Sequence, residues 1–237
     1  TLAGVCATLV GLGLARFAYT PLLPAIISAK WFSASAAAYL GAANLAGYVA
    51  GALIAAPLAA RWPARSILRG LMALTTVALF ASAWPVSFVW FFGWRLVSGI
   101  TGGSLMVLAA PTVLAHVTPS RRGIVSGAIF MGIGLGITAS GTLVPLLLSE
   151  GLTQAWLGLG VLAMLLTAIA WGGWPAAVAS STAPIHRSMH HPLPNRQLRL
   201  LYVEYALNAV GLVPHMIFLV VFIASALNKG LAVGALY

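Results

Sequence analysis

Gly11-Leu-Gly-Leu-Ala-Arg16-Phe-Ala-Tyr19-Thr20-Pro21-Leu-Leu-Pro24 lies in the middle of a long apolar run, residues 2–27, in which Arg16 is the only charged residue. A guanidinium stays protonated under any biological condition. At the centre of a lipid-spanning helix it costs about 2.5–3.5 kcal/mol on insertion scales. It therefore needs a partner, a water-filled cavity or a ligand. Thr8, Gly13, Arg16, Tyr19 and Thr20 fall at helical spacing on one face. Val10, Leu14, Phe17 and Ala18 fall on the other, where they can meet lipid or apolar neighbours. A polar stripe around a buried arginine is the pattern of a solute pathway.

The rest of the chain sets that stripe in a membrane. Of 237 residues, 61% are hydrophobic and 6% charged, against about 25% charged in soluble domains. The apolar runs are long and unbroken rather than alternating, which predicts helices and not an outer-membrane barrel. The net charge of +10 sits in short clusters between the runs, as in cytoplasmic loops, and does not describe a nucleic-acid surface. The single cysteine, Cys6, offers no disulfide and no thiolate cage. The first run has no basic residues ahead of it and carries Arg16 at its middle, unlike a cleavable signal.

Seven segments are long enough to cross a bilayer: roughly 2–27, 36–60, 66–84, 87–115, 123–148, 153–178 and 198–226. Pro63, Pro85, Pro119 and Pro184 fall in the connections, while Pro57, Pro111, Pro145 and Pro214 fall inside spans, where they favour kinks. Arg61, Arg65, Arg69, Arg121, Arg122, Arg187, Arg196 and Arg199 lie on one side, against Lys30 and Lys229 on the other. The positive-inside rule places the N-terminus and the even-numbered connections in the cytoplasm. The expected location is a bacterial inner (plasma) membrane. The chain begins at Thr1 without Met and ends in the apolar stretch Gly230–Tyr237, so we read it as part of a longer protein.

Within the spans the polar residues are few. Span two carries Gly41, Asn44, Gly47, Tyr48 and Gly51 on one face, a small-residue packing seam with Asn44 as a candidate to line a cavity. Span three has little to mark it and is expected to pack or face lipid. Span four holds the second intramembrane arginine, Arg95, with Ser98, Gly99 and Gly102 on its face. Arg16 and Arg95 each lie about ten residues from the outer end, on the order of 15 Å deep at 1.5 Å per residue. A reach to the outer headgroups is the competing reading for Arg95. Span five is glycine-laden, with Gly123/Gly127 and Gly132/Gly136/Ser140 four apart for close approach. Span six, with Trp156, Trp171 and Trp174, reads as a lipid-facing closing helix.

Residues 181–197 form the one long polar connection, dividing a six-helix bundle (1–180) from the first helix of a second half (198–237). His186, His190 and His191 lie in it, but neighbouring prolines and the absence of a carboxylate or cysteine argue against a metal site. Span seven spaces Glu204, Asn208, Gly211 and His215 along one face, placing a carboxylate, an amide and an imidazole together. Glu204 and His215 are the intramembrane candidates for proton coupling. No His-Glu-x-x-His, serine elbow or aspartate pair is present, so no enzymatic chemistry, metal or cofactor is expected.

Six helices, a loop and a new bundle resemble the major facilitator superfamily, whose six-helix halves contain inverted three-helix repeats. Gly13-Leu-Ala-Arg16-Phe-Ala-Tyr19-Thr-Pro-Leu-Leu-Pro24 is similar to the first helix of its YbfB/YjiJ-type, arabinose-efflux-permease-like subfamily. Asn208-Ala-Val-Gly-Leu-Val-Pro-His215 is similar to that subfamily's helix seven, and Arg95-x-x-x-Gly99 resembles the superfamily's fourth-helix motif. The chain departs from the family's loop motif Gly-x-x-x-Asp-Arg-x-Gly-Arg: its acidic and second glycine positions are Ala60 and Pro63. Span five also lacks the Gly-Pro pair of the antiporter signature.

The resemblance implies an all-α bundle of seven helices out of twelve. It implies a secondary transporter moving a small solute by alternating access, with the solute between the halves near the midplane. We expect the solute to be anionic or hydroxyl-rich, contacted by Arg16, Tyr19, Asn44, Arg95 and Asn208, with protons as the coupling partner. A pairing of Arg16 with Glu204 as a gate is the structural alternative for the arginines. A seven-helix receptor or sensor is the alternative from another class; the six-plus-one arrangement and the position of Lys229 at the end of span seven, not in its middle, count against it.

Overall fold

The computed structural model describes residues 1–175 and 195–221; in the last stretch side chains are described for 196–208, 210 and 211. Among these residues six helices are long and apolar enough to cross a membrane. They are α1 (Leu2–Ser28), α2 (Ala34–Arg61), α3 (Ala64–Ala81), α4 (Phe88–Leu114), α5 (Arg122–Leu148, after a 3-10 turn at Pro119–Arg121) and α6 (Leu152–Trp171). A further helix of 27 residues, α7 (Asn195–Val221), lies against the Tyr19–Ser28 half of α1. It starts at Asn195, three residues ahead of the expected span. The histidines at 186, 190 and 191 and Lys229 lie outside the described residues.

Short-range chemistry sets the helix ends. Ser33 and Ser87 cap α2 and α4, their hydroxyls accepting the N–H groups of Ala36 and Trp90 at 3.3 and 3.1 Å. Trp62 and Pro63 form the whole turn between α2 and α3. At the end of α1, Lys30 takes the left-handed conformation (φ 57) that usually calls for glycine. The Trp31 N–H bonds back to the Ile26 carbonyl at 3.1 Å, closing that turn.

α1 is the centre of the bundle, packed on α4, α5 and α6. Small residues decide where helices can touch. A Cβ on Gly13 would come to 2.5 Å from the Gly136 Cα, so α1 and α5 cross backbone to backbone. The span-two seam packs the same way on α4: Cβ atoms on Gly47 and Gly51 would overlap the carbonyls of Leu96 and Ile100, and ones on Gly99 and Gly103 those of Asn44 and Tyr48. Gly123 and Gly127 differ from the expectation of close packing, having nothing nearby. The close contact of α5 with α1 begins further along, where a Cβ on Gly4 would meet Ile129.

α3, uninformative in sequence, is tied by threonines. Thr75 bonds to Thr101 of α4 at 2.8 Å, and Thr76 to Thr167 of α6 at 3.2 Å. α6 is not simply a lipid-facing closing helix. Trp171 is exposed, but Trp156 and Trp174 are buried, Trp156 with its ring centroid 6.5 Å from that of Tyr19 and 5.6 Å from that of Phe91.

Candidate functional site

The two intramembrane arginines meet α1 at its most unusual segment. Leu9–Phe17 is π-helical, and the Ala18 N–H reaches back five residues to the Gly13 carbonyl at 3.2 Å. The sequence weakens the α-register on both sides. Gly11 and Gly13 are poor helix formers. Pro21 and Pro24 withhold the N–H groups that an α-helix would offer to the carbonyls of Phe17 and Thr20. Side chains from neighbouring helices then hold the widened turn. Ser140 of α5 donates to the Gly13 carbonyl at 3.1 Å. Arg95 and Ser98 of α4 both donate to the Ala15 carbonyl, at 3.0 and 3.4 Å.

Arg95 is sealed. It is 2% exposed, with its guanidinium 4.3 Å from the Tyr19 ring centroid and 6.0 Å from that of Trp156. Its Nε has no hydrogen-bond partner. The Arg95 side chain does not reach to the outer headgroups, and residues 1–149 contain neither Asp nor Glu to neutralise it. Ring faces and a carbonyl dipole take that role. Tyr19 is fixed in turn, its hydroxyl donating to the Ala37 carbonyl at 2.7 Å. Asn44 is 2% exposed and donates to the Arg95 backbone carbonyl at 3.1 Å, joining α2 to α4.

Arg16 is placed differently. It is half-buried, with its guanidinium 5.1 Å from the Tyr48 ring centroid and 5.6 Å from that of Phe17. Thr20, one turn on, is half-buried too. The polar stripe read from a period of 3.6 residues is therefore divided. Across a π-helical segment each turn takes up more residues, so Thr8 and Gly13 turn into the contact with α5 while Arg16 and Thr20 stay accessible. Thr8 donates to the Ile129 carbonyl at 2.7 Å. Val10, Leu14 and Ala18 are buried against apolar neighbours and do not face lipid.

The structure thus brings Arg95, Tyr19 and Asn44 together in one packed cluster, and sets Arg16 beside Tyr48. Asn208 and Glu204 are exposed on α7, and the His215 side chain lies outside the described residues. Among the described residues no cluster of three or more His, Cys, Asp or Glu forms a metal site. Two contributors escaped the sequence reading. Tyr48 was assigned to packing, although its phenol is one of the polar groups one helix away from Arg16. Trp156 carried no signal of its own beyond its size.

Residues 8–237 match the family model described as uncharacterised MFS-type transporter YbfB. No curated protein matches the chain. The match covers nearly all of it, so the chain belongs to this family of the major facilitator superfamily: it is a multi-pass, all-helical membrane protein of a transporter family.

Proposed function

We propose that this transporter moves a small anionic or hydroxyl-rich solute by alternating access, and that Arg16 recognises it. One observation carries this reading. Arg16 keeps a permanent charge half-exposed inside a span, against two aromatic rings, in a stretch with no carboxylate to claim it. A carboxylate, phosphate or sugar hydroxyl would supply the missing acceptor. Tyr48 adds a phenol beside it, and Asn208 of α7 would contribute an amide from the second half. Arg95, Tyr19 and Asn44 act as the support that fixes α1, and so Arg16, rather than as groups that touch the solute.

The residues 1–180 bundle and the helix from 198 onward are the moving halves, joined by 181–197. The N-terminus is cytoplasmic, in a bacterial inner membrane. Spans one to six hold no acid, so if transport is proton-coupled the titrating groups are Glu204 and His215 of span seven or lie in helices beyond it. Replacing Glu204→Gln then removes the pH dependence of transport; unchanged dependence takes Glu204 out of the mechanism.

Thermal unfolding of the full-length protein against a panel of carboxylates, sugars and cationic drugs tests the site. An anion or polyol that stabilises native protein but not Arg16→Ala supports the reading. A cation that stabilises both equally overturns it.

A further inference from the structure

The groups around Arg16 narrow the class of solute, on the reading above that Arg16 recognises it. Arg16 and Arg95 are the charges of residues 1–175 that lie well inside a span, and Arg95 is sealed by Tyr19 and Trp156. Arg16 is half-buried, so this bundle offers one accessible positive charge there. A single guanidinium compensates a single negative charge. A second anionic group on the solute would enter the span without a partner, at the cost that makes intramembrane charges rare.

A hydroxyl-rich solute asks for something different. Each hydroxyl taken out of water needs a donor or an acceptor, or its desolvation goes unrecovered. The bundle spends its polar groups elsewhere. Thr8, Ser98, Ser104 and Ser140 are buried and donate to the Ile129, Ala15, Gly51 and Gly13 carbonyls. The threonine pairs of α3 tie it to α4 and α6. Residues 1–175 contain two side-chain amides. Asn44 is held on the Arg95 carbonyl, and Gln154 stands in the first turn of α6, at an end of its span. Thr138 and Thr142 of α5 are exposed, but each lies two residues beyond Gly136 or Ser140, the contacts with α1. At about 100° per residue that turns them to the far side of α5 from α1, and so away from Arg16.

Beside Arg16, Tyr48 and Thr20 bring two hydroxyls, enough to orient an oxyanion but not to serve a sugar. The rest is apolar. The guanidinium lies 5.1 Å from the Tyr48 ring centroid and 5.6 Å from that of Phe17. Leu45 and Ala52 stand one turn to either side of Tyr48 on α2, and Pro24 lies one turn beyond Thr20 on α1. All of these are half-buried, with surface left to meet a ligand. Small-molecule sites pair a few placed polar groups with an apolar wall of this kind. We infer that the solute is an amphipathic monoanion, one singly charged oxyanion against Arg16 and an aromatic or branched apolar body against Phe17, Leu45 and Tyr48. Of the two solute classes, the hydroxyl-rich one is set aside.

Isothermal titration calorimetry of the full-length protein with benzoate, acetate, terephthalate and arabinose tests this, at a pH where the acids are ionised. Benzoate should bind at least about tenfold more tightly than acetate, through the apolar area that its ring removes from water. It should also bind about tenfold more tightly than the dianion terephthalate, while arabinose gives no saturable heat. Tyr48→Ala should erase most of the advantage of benzoate over acetate. Arg16→Gln should abolish benzoate binding, and Arg16→Lys should restore part of it. Equal binding of benzoate and acetate, tighter binding of terephthalate, or the native preference in Tyr48→Ala would overturn the inference and leave Arg16 as the recognising residue. Saturable arabinose binding that Arg16→Gln removes would do the same. Failure of native protein to bind benzoate also overturns the inference. Undiminished benzoate binding by Arg16→Gln would instead overturn the reading on which it rests.

Discussion

Arg16 and Arg95 stand at similar depth on adjacent helices, yet the protein treats them in opposite ways. Arg95 is enclosed by Tyr19 and Trp156 and ties α4 to the Ala15 carbonyl. Arg16 lies over Tyr48 with part of its surface open. Both are cations without a carboxylate, so charge alone does not separate structure from function. What separates them is whether the surrounding groups already use the guanidinium.

The contrast can be broken most forcefully at Arg95. Arg95→Ala leaves a large cavity and strips the Ala15 carbonyl of a donor, and is expected to cost about 2–4 kcal/mol of folding stability, read as a drop in unfolding temperature. Arg16→Ala, at a half-exposed site, should cost about 0.5 kcal/mol or less and act on solute binding instead. Equal destabilisation by the two would erase the distinction.

Gly13→Ala tests whether the π-helical segment depends on close contact with α5. The added methyl cannot fit against Gly136, and about 1–3 kcal/mol should be lost. The change should also weaken solute binding, because Arg16 lies three residues on. Asn44→Ala sharpens the reading of α2 as support: losing its bond to the buried Arg95 carbonyl should cost about 1–2 kcal/mol with little change in solute specificity. The last test lies far from both arginines. Lys30→Gly relieves a left-handed residue and should stabilise by about 0.5–1 kcal/mol, visible as a small rise in unfolding temperature.

Much of this was legible in the sequence for physical reasons. Lipid demands long apolar runs with satisfied backbones, so the first six spans could be counted, and their ends moved by only a few residues except at α6, where the helix stops at Trp171 ahead of Pro175. The glycine seam of α2 was legible because close backbone approach admits few residue types. The role of each polar side chain was not. Tyr19 and Thr8 share a helical stripe with Arg16 on a period of 3.6, and only the π-helical segment, invisible to periodicity, turns Thr8 into α5. Trp156 resembled any tryptophan of a lipid-facing helix, because its burial depends on helices far away in sequence.

The central claim is that Arg16 faces the solute path and the cluster around Arg95 does not. Labelling of single cysteines by a water-soluble thiol reagent, in a Cys6→Ser background, reads this directly. The account predicts that Arg16→Cys reacts readily, while Ser98→Cys, buried beside Ala15, stays unmodified. Rapid labelling at position 98 together with none at position 16 would contradict it.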